Sequence, residues 1–175
     1  MRQDVAFVYV RELIERMTGT RPEPDQDGDL PVHLHGAQFF VRVVGPVNPW
    51  VQVFSVAVAD LQVSPQLLTM LNEINTHIHF ARAFHVGSQV IIESEIWAED
   101  VTPANFVYAC QNVAAATDAF APRIVEALGG RALFEESKTD AYQQTELPLG
   151  PLGARDMPPL PEDVPPPRRE ASPYL

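Results

Sequence analysis

The sequence predicts an α+β domain: a twisted antiparallel sheet of about five strands with three helices, in the order α-β-β-β-α-β-β-α. Three observations carry that prediction. Residues 64–99 switch from a helical apolar period to a period of two, then reverse through a glycine turn. Three alternating segments lie between residues 30 and 58. A long helical stripe beginning near Thr102 closes at Gly129-Gly130.

Asp4 to Met17 forms the first predicted helix. Phe7, Val10, Ile14 and Met17 share one side with Leu13, while Arg11, Glu12, Glu15 and Arg16 turn mostly outward. Gly19, Pro22, Pro24 and Gly28 stop regular structure in the acidic loop that follows. Leu30–Leu34, Gln38–Val44 and Trp50–Val58 read as strands. The third is apolar on both faces, with Phe54, Val56 and Val58 against Val51, Val53 and Ala57, which suits a central position.

In the second helix, Ser64 accepts from a free backbone N–H, and Pro65 fills a first position that needs no donor. Leu67, Leu71, Ile74 and Ile78 form its buried stripe. The hairpin Phe80–Val86 and Gln89–Trp97 turns at Gly87-Ser88, where glycine in first place suits a type II′ turn. That turn sets a register of Val86 with Gln89, Phe84 with Ile91, Arg82 with Glu93 and Phe80 with Glu95. One face carries Ala81, Ala83, Ile92, Ser94 and Ile96 and is assigned to the core. The other carries Phe80, Arg82, Phe84, Ile91, Glu93, Glu95 and Trp97, a mixture of aromatic and charged groups that suits either a partner-binding or dimerisation surface or a face of cross-strand pairs covered by the chain's own elements.

Thr102 caps the last helix and Pro103 opens it. Phe106, Cys110, Val113, Thr117, Phe120, Ile124 and Leu128 keep its stripe, and Pro122 is expected to bend the helix without dividing it. Ala132, Leu133 and Phe134 offer a last edge segment. The chain divides into a domain over residues 1–140 and a Pro-rich tail over 141–175, whose composition predicts an extended, disordered segment with polyproline-II bias.

The net charge of −11, with one lysine against eleven arginines, argues against a nucleic-acid surface and points to GC-rich bacterial coding. One cysteine, Cys110, excludes an intramolecular disulfide and sits on a core stripe as a structural thiol. Residues 1–20 lack a signal peptide's apolar core, and no run is long enough to span a bilayer, so a cytoplasmic location is expected.

No nucleophile elbow, Walker loop, dinucleotide fingerprint or C-x-x-C is present, and no catalytic residue, cofactor or metal is assigned. Glu93 and Glu95 could act as paired carboxylates, but a cross-strand pair of Arg82 with Glu93 is the simpler account. The alternative function is a metal-binding sensor or metal-dependent enzyme using the His-x-His pairs, His33 with His35 and His77 with His79, and His85.

The element order, with Leu71-Asn72-Glu73-Ile74-Asn75, the Phe80–Phe84 and Val90–Glu95 strands, and the run from Thr102 to Leu128-Gly129-Gly130, resembles the class I type III secretion chaperone fold. Within that fold it is most similar to the bacterial YbjN-like family, over roughly residues 4–135. The resemblance implies a non-enzymatic homodimer that holds partly unfolded segments of a protein client.

Overall fold

The computed structural model describes residues 1–34 and 37–133. Its elements are α1 (Gln3–Thr18), β1 (Leu30–Leu34), β2 (Ala37–Val44), β3 (Trp50–Ala59), α2 (Pro65–His77), β4 (Arg82–Val86), β5 (Gln89–Trp97), α3 (Pro103–Leu128) and β6 (Arg131–Ala132). The strands form one antiparallel sheet in the order β1-β2-β3-β5-β4, with β6 paired to the end of β3. The twice-apolar β3 is therefore central, as its pattern required. Phe134 and the tail from residue 141 lie outside the described residues.

The caps follow from local chemistry. The Ser64 hydroxyl accepts from the Leu67 N–H at 3.1 Å. Thr102 and Asn105 exchange bonds in a capping box, so two otherwise orphaned donors are satisfied reciprocally. α3 runs continuously through Pro122. It ends at Gly129, whose φ of 78° and ψ of −154° lie in a region open mainly to glycine. Gly130 has φ +86°, and a Cβ there would come within 2.8 Å of the Ala59 carbonyl oxygen. The second glycine thus lets the helix end close against β3.

All three helices pack on one face of the sheet. There Phe39, Val41, Val43, Val51 and Val53 meet α1 and α3 through Val10, Ile14, Phe106 and Val113. Ala57, Ala83 and Ile92 meet α2 and α3 through Leu67, Leu71, Ile74 and Ile124. A β-bulge between Val56 and Val58 shifts the β3 register and turns both Ala57 and Val58 into this core. Cys110 is buried within it, and burial pushes its thiol pKa up to about 12.

The hairpin register is as expected at three of four pairs: Val86 with Gln89, Phe84 with Ile91 and Arg82 with Glu93. Gly87 has φ +61° and Ser88 is not among the positive-φ residues, as a type II′ turn requires. The fourth pair does not form. β4 begins at Arg82, and Phe80 lies before it with φ +57°, a left-handed conformation outside any ladder.

Candidate functional site

No helix among the described residues covers the second face of the sheet. Alternation gathers side chains there from four strands: Phe40 and Arg42 of β2, Gln52, Phe54 and Val56 of β3, Ile91, Glu93 and Glu95 of β5, and Arg82 and Phe84 of β4. Phe40 and Phe54 stack with centroids 5.5 Å apart. Arg42 lies over the Phe54 ring at 5.0 Å, and Arg82 over Phe84 at 5.5 Å. The result is an aromatic surface with two guanidinium groups laid across it.

Each guanidinium is fixed from below. Arg42 makes a two-pronged pair with the buried Asp29 at the entrance to β1. Arg82 donates from Nε to Glu93 Oε1 at 2.6 Å, and its Nη2 reaches Glu95 Oε2 at 3.3 Å. Hydrogen bonding to Asp29 raises the Arg42 pKa further, and bonding to Glu93 does the same for Arg82. Gln52 donates to the other Glu93 oxygen at 2.5 Å. Glu93 is only 1% exposed, yet both its oxygens have partners, so the cross-strand ion pair read from the sequence is present in fuller form.

The seven residues assigned to a partner surface therefore separate. Arg82, Phe84 and Glu95 lie on the open face, with Arg82 and Glu95 exposed and Phe84 half-buried. Trp97 is 60% exposed and meets Trp50 edge-on at the end of the same face. Ile91 is 8% exposed, beneath its cross-strand neighbours Phe84 and Val56, and Glu93 is consumed by its partners. These two support the surface rather than forming its outer layer.

Phe80 belongs to the helix side. Its positive φ swings the ring to Tyr108 of α3, with centroids 6.2 Å apart, while leaving it 82% exposed. Ser94 Oγ donates to the Phe80 carbonyl at 2.7 Å, and Asn112 Nδ2 to the His79 carbonyl at 3.0 Å. Sequence alternation missed Phe80 because long-range bonds, not strand periodicity, set its backbone. Phe40 and Phe54 were missed as partners because only the strand order brings them beside the hairpin.

The histidines serve local structure where they are described. His85 Nε2 bonds the Leu61 carbonyl at 2.9 Å, and His77 Nδ1 the Glu73 carbonyl at 2.9 Å; a carbonyl only accepts, so each of those nitrogens carries a proton. His33 is exposed on β1, and His35 lies outside the described residues. Among the described residues no group of three or more His, Cys, Asp or Glu side chains could hold a metal ion. No described helix is long and apolar enough to cross a membrane.

Residues 6–136 match the family model of T3SS (YopN, CesT) and YbjN peptide-binding chaperone 1. Two solved structures share the fold. One is the crystal structure of the ExsC-ExsE complex, with a TM-score of 0.52, 13% identity, and coverage of 66% of this chain and 92% of that one. The other is the HopA1-SchA chaperone-effector complex, with a TM-score of 0.50, 8% identity, and coverage of 67% and 94%. No curated protein matches the chain significantly. With three-quarters of its length matched to one model and the same sheet and helices in place, this chain belongs to the T3SS and YbjN family of peptide-binding chaperones.

Proposed function

We propose that this protein is a non-enzymatic chaperone that holds a segment of a partner polypeptide against the open face of its sheet. The observation carrying this reading is the helix-free surface itself. Phe40, Phe54 and Phe84 offer apolar area, and Arg42 and Arg82 are held across it by carboxylates beneath. Such a surface can receive side chains of an extended segment without a preformed pocket for each. Of the residues read from the sequence, Phe84, Arg82, Glu95 and Trp97 would touch the client, and Ile91 and Glu93 would hold them in position. Phe80 would act separately, from the helix side.

The family match supports a protein client, and the reading extends to a homodimer in a bacterial cytoplasm, with no cofactor and with the chain beyond about residue 140 outside the binding domain. A permanently unfolded model client, reduced and carboxymethylated lactalbumin, tests the site. The variant Phe40→Ser with Phe84→Ser should weaken its binding about tenfold or more while keeping the far-ultraviolet circular dichroism of the wild type. Wild-type affinity in a folded double variant overturns the assignment of the face. Sedimentation equilibrium tests the dimer.

A further inference from the structure

The open face of the sheet carries a selectivity that its apolar area alone does not give. Arg42 lies 5.0 Å from the Phe54 ring centroid, and Arg82 lies 5.5 Å from that of Phe84. Each guanidinium is also held along one edge. Arg42 gives Nε and Nη2 to the carboxylate of Asp29, and Arg82 gives the same two nitrogens to Glu93, with Glu95 beside them. Asp29 and Glu93 are buried, so neither guanidinium can swing away without leaving a carboxylate unpaired in the interior. The two arginine side chains nevertheless stay 43% and 61% exposed. With a ring on one side and a carboxylate along one edge, the part left to solvent includes the flat side away from the ring.

Charge decides what can use those flat sides. The two guanidinium groups already face three carboxylates, Asp29, Glu93 and Glu95. An acidic client side chain therefore finds cations that are already neutralised, and a basic one must displace an arginine. An aromatic ring needs neither. Its electron-rich face meets the cation without competing for the N–H edge that the carboxylates hold. A guanidinium is weakly hydrated, so a ring that covers it displaces little bound water. An aliphatic side chain of the same size gains the burial without that attraction.

The helix side provides a contrast. Arg123 of α3 also lies over a ring, that of Phe120, at 5.5 Å. Its carboxylate partner, Glu73, is 3.8 Å away and exposed, so no buried anion holds this guanidinium in place.

We propose that Arg42 and Arg82 are the specificity-determining residues of this face and select client segments that carry aromatic side chains. One client ring closes over each guanidinium from the side opposite Phe54 or Phe84. The proposal rests on the sheet-face reading and adds to it the chemical class of side chain that is held. By strand spacing and rise, Phe54 on β3 and Phe84 on β4 are about 12 Å apart, which four residues of extended client span at about 3.3 Å each.

The test uses the full chain and two fluorescein-labelled peptides of one uncharged sequence. Two positions four residues apart hold phenylalanine in one peptide and cyclohexylalanine in the other. The cyclohexyl ring is of similar size and at least as apolar, but it has no π face. Anisotropy should give at least about fivefold tighter binding of the phenylalanine peptide, with little change at high salt, because the charges of the face are paired within the protein. Arg42→Lys with Arg82→Lys keeps a cation beside each carboxylate and removes the flat group, and should bring the two peptides to within about twofold of each other. Arg123→Lys, the same change on the helix side, should leave the wild-type ratio intact. If the double variant loses the wild-type circular dichroism, Arg82→Lys alone, at the more exposed position, should still narrow the ratio; an unchanged ratio there overturns the proposal. Equal affinity of the wild type for the two peptides overturns it too. So does an aromatic preference that survives both lysines, which assigns the preference to Phe40, Phe54 and Phe84. Either of those outcomes keeps the sheet-face reading if Phe40→Ser with Phe84→Ser still weakens both peptides. Binding of the carboxymethylated lactalbumin without either peptide overturns the aromatic selectivity alone; failure of all three ligands removes both readings.

Discussion

The Asn75 side chain of α2 pairs with the main chain of Ala83 as a neighbouring strand would. Its Oδ1 accepts from the Ala83 N–H at 2.7 Å, and its Nδ2 donates to the Ala83 C=O at 2.9 Å. β4 is a terminal strand of the sheet, so these are groups that another chain would otherwise find available. Asn75→Ala should destabilise the domain by about 1–2 kcal/mol, the worth of two partly buried hydrogen bonds. Urea unfolding measures that loss. A faster rise in thioflavin fluorescence on incubation of the variant would report the opened edge, and unchanged stability would show the pairing to be idle.

Glu93 and Arg82 make an unequal pair, one buried and the other largely in solvent. Solvent screening of Arg82 keeps the attraction modest, whereas a buried carboxylate stripped of its cation carries most of the cost. Arg82→Ala should therefore lose about 1–3 kcal/mol, and Glu93→Gln should recover part of it in the double variant. A double-mutant cycle by chemical denaturation checks the sign. Additive losses would mean that Gln52 alone satisfies Glu93.

Gly130 abuts the Ala59 carbonyl and the Val58 side chain at a positive φ. Gly130→Ala adds both a clash and backbone strain, with an expected cost of about 1–3 kcal/mol. Gly129→Ala meets open space, so its cost should be smaller and confined to strain. Thermal melts of the two variants should fall in that order.

Cys110 gives a pH signature. Burial raises its pKa from 9.0 to about 12 in the folded chain, so between those values the native thiol keeps a proton that the unfolded chain releases. Stability is fully present below pH 9 and falls by about 1.4 kcal/mol per pH unit above it. Cys110→Ala should remove that component of the slope between pH 9 and 11. An aromatic disulfide reagent should modify the wild type only after denaturant is added. Rapid modification of the native protein would contradict its burial.

Much of the fold was legible because its elements are marked locally. Ser64-Pro65 and Thr102-Pro103 start helices, and Gly87-Ser88 fixes a register that the period of two carries onward. The site was less legible. Asn75 reads as a polar residue off the apolar stripe, and only the docking of α2 on β4 reveals its partner. Glu93 announces Arg82 across the turn, but Gln52 reaches it from a strand 41 residues away in sequence. Phe80 continues the alternation in the sequence and breaks it in space, because the Ser94 and Asn112 bonds belong to tertiary structure.

The bulge between Val56 and Val58 also acts as a ruler. Before it, alternate residues of β3 face outward; after it, Val58 turns into the core and the aromatic face stops. From Trp50 to Val56 the strand rises about 20 Å at roughly 3.4 Å per residue. An extended segment laid along that direction would meet the face with about six residues before running off its end. Under the proposed binding at this face, moving or removing the bulge would change how long a stretch the protein can hold.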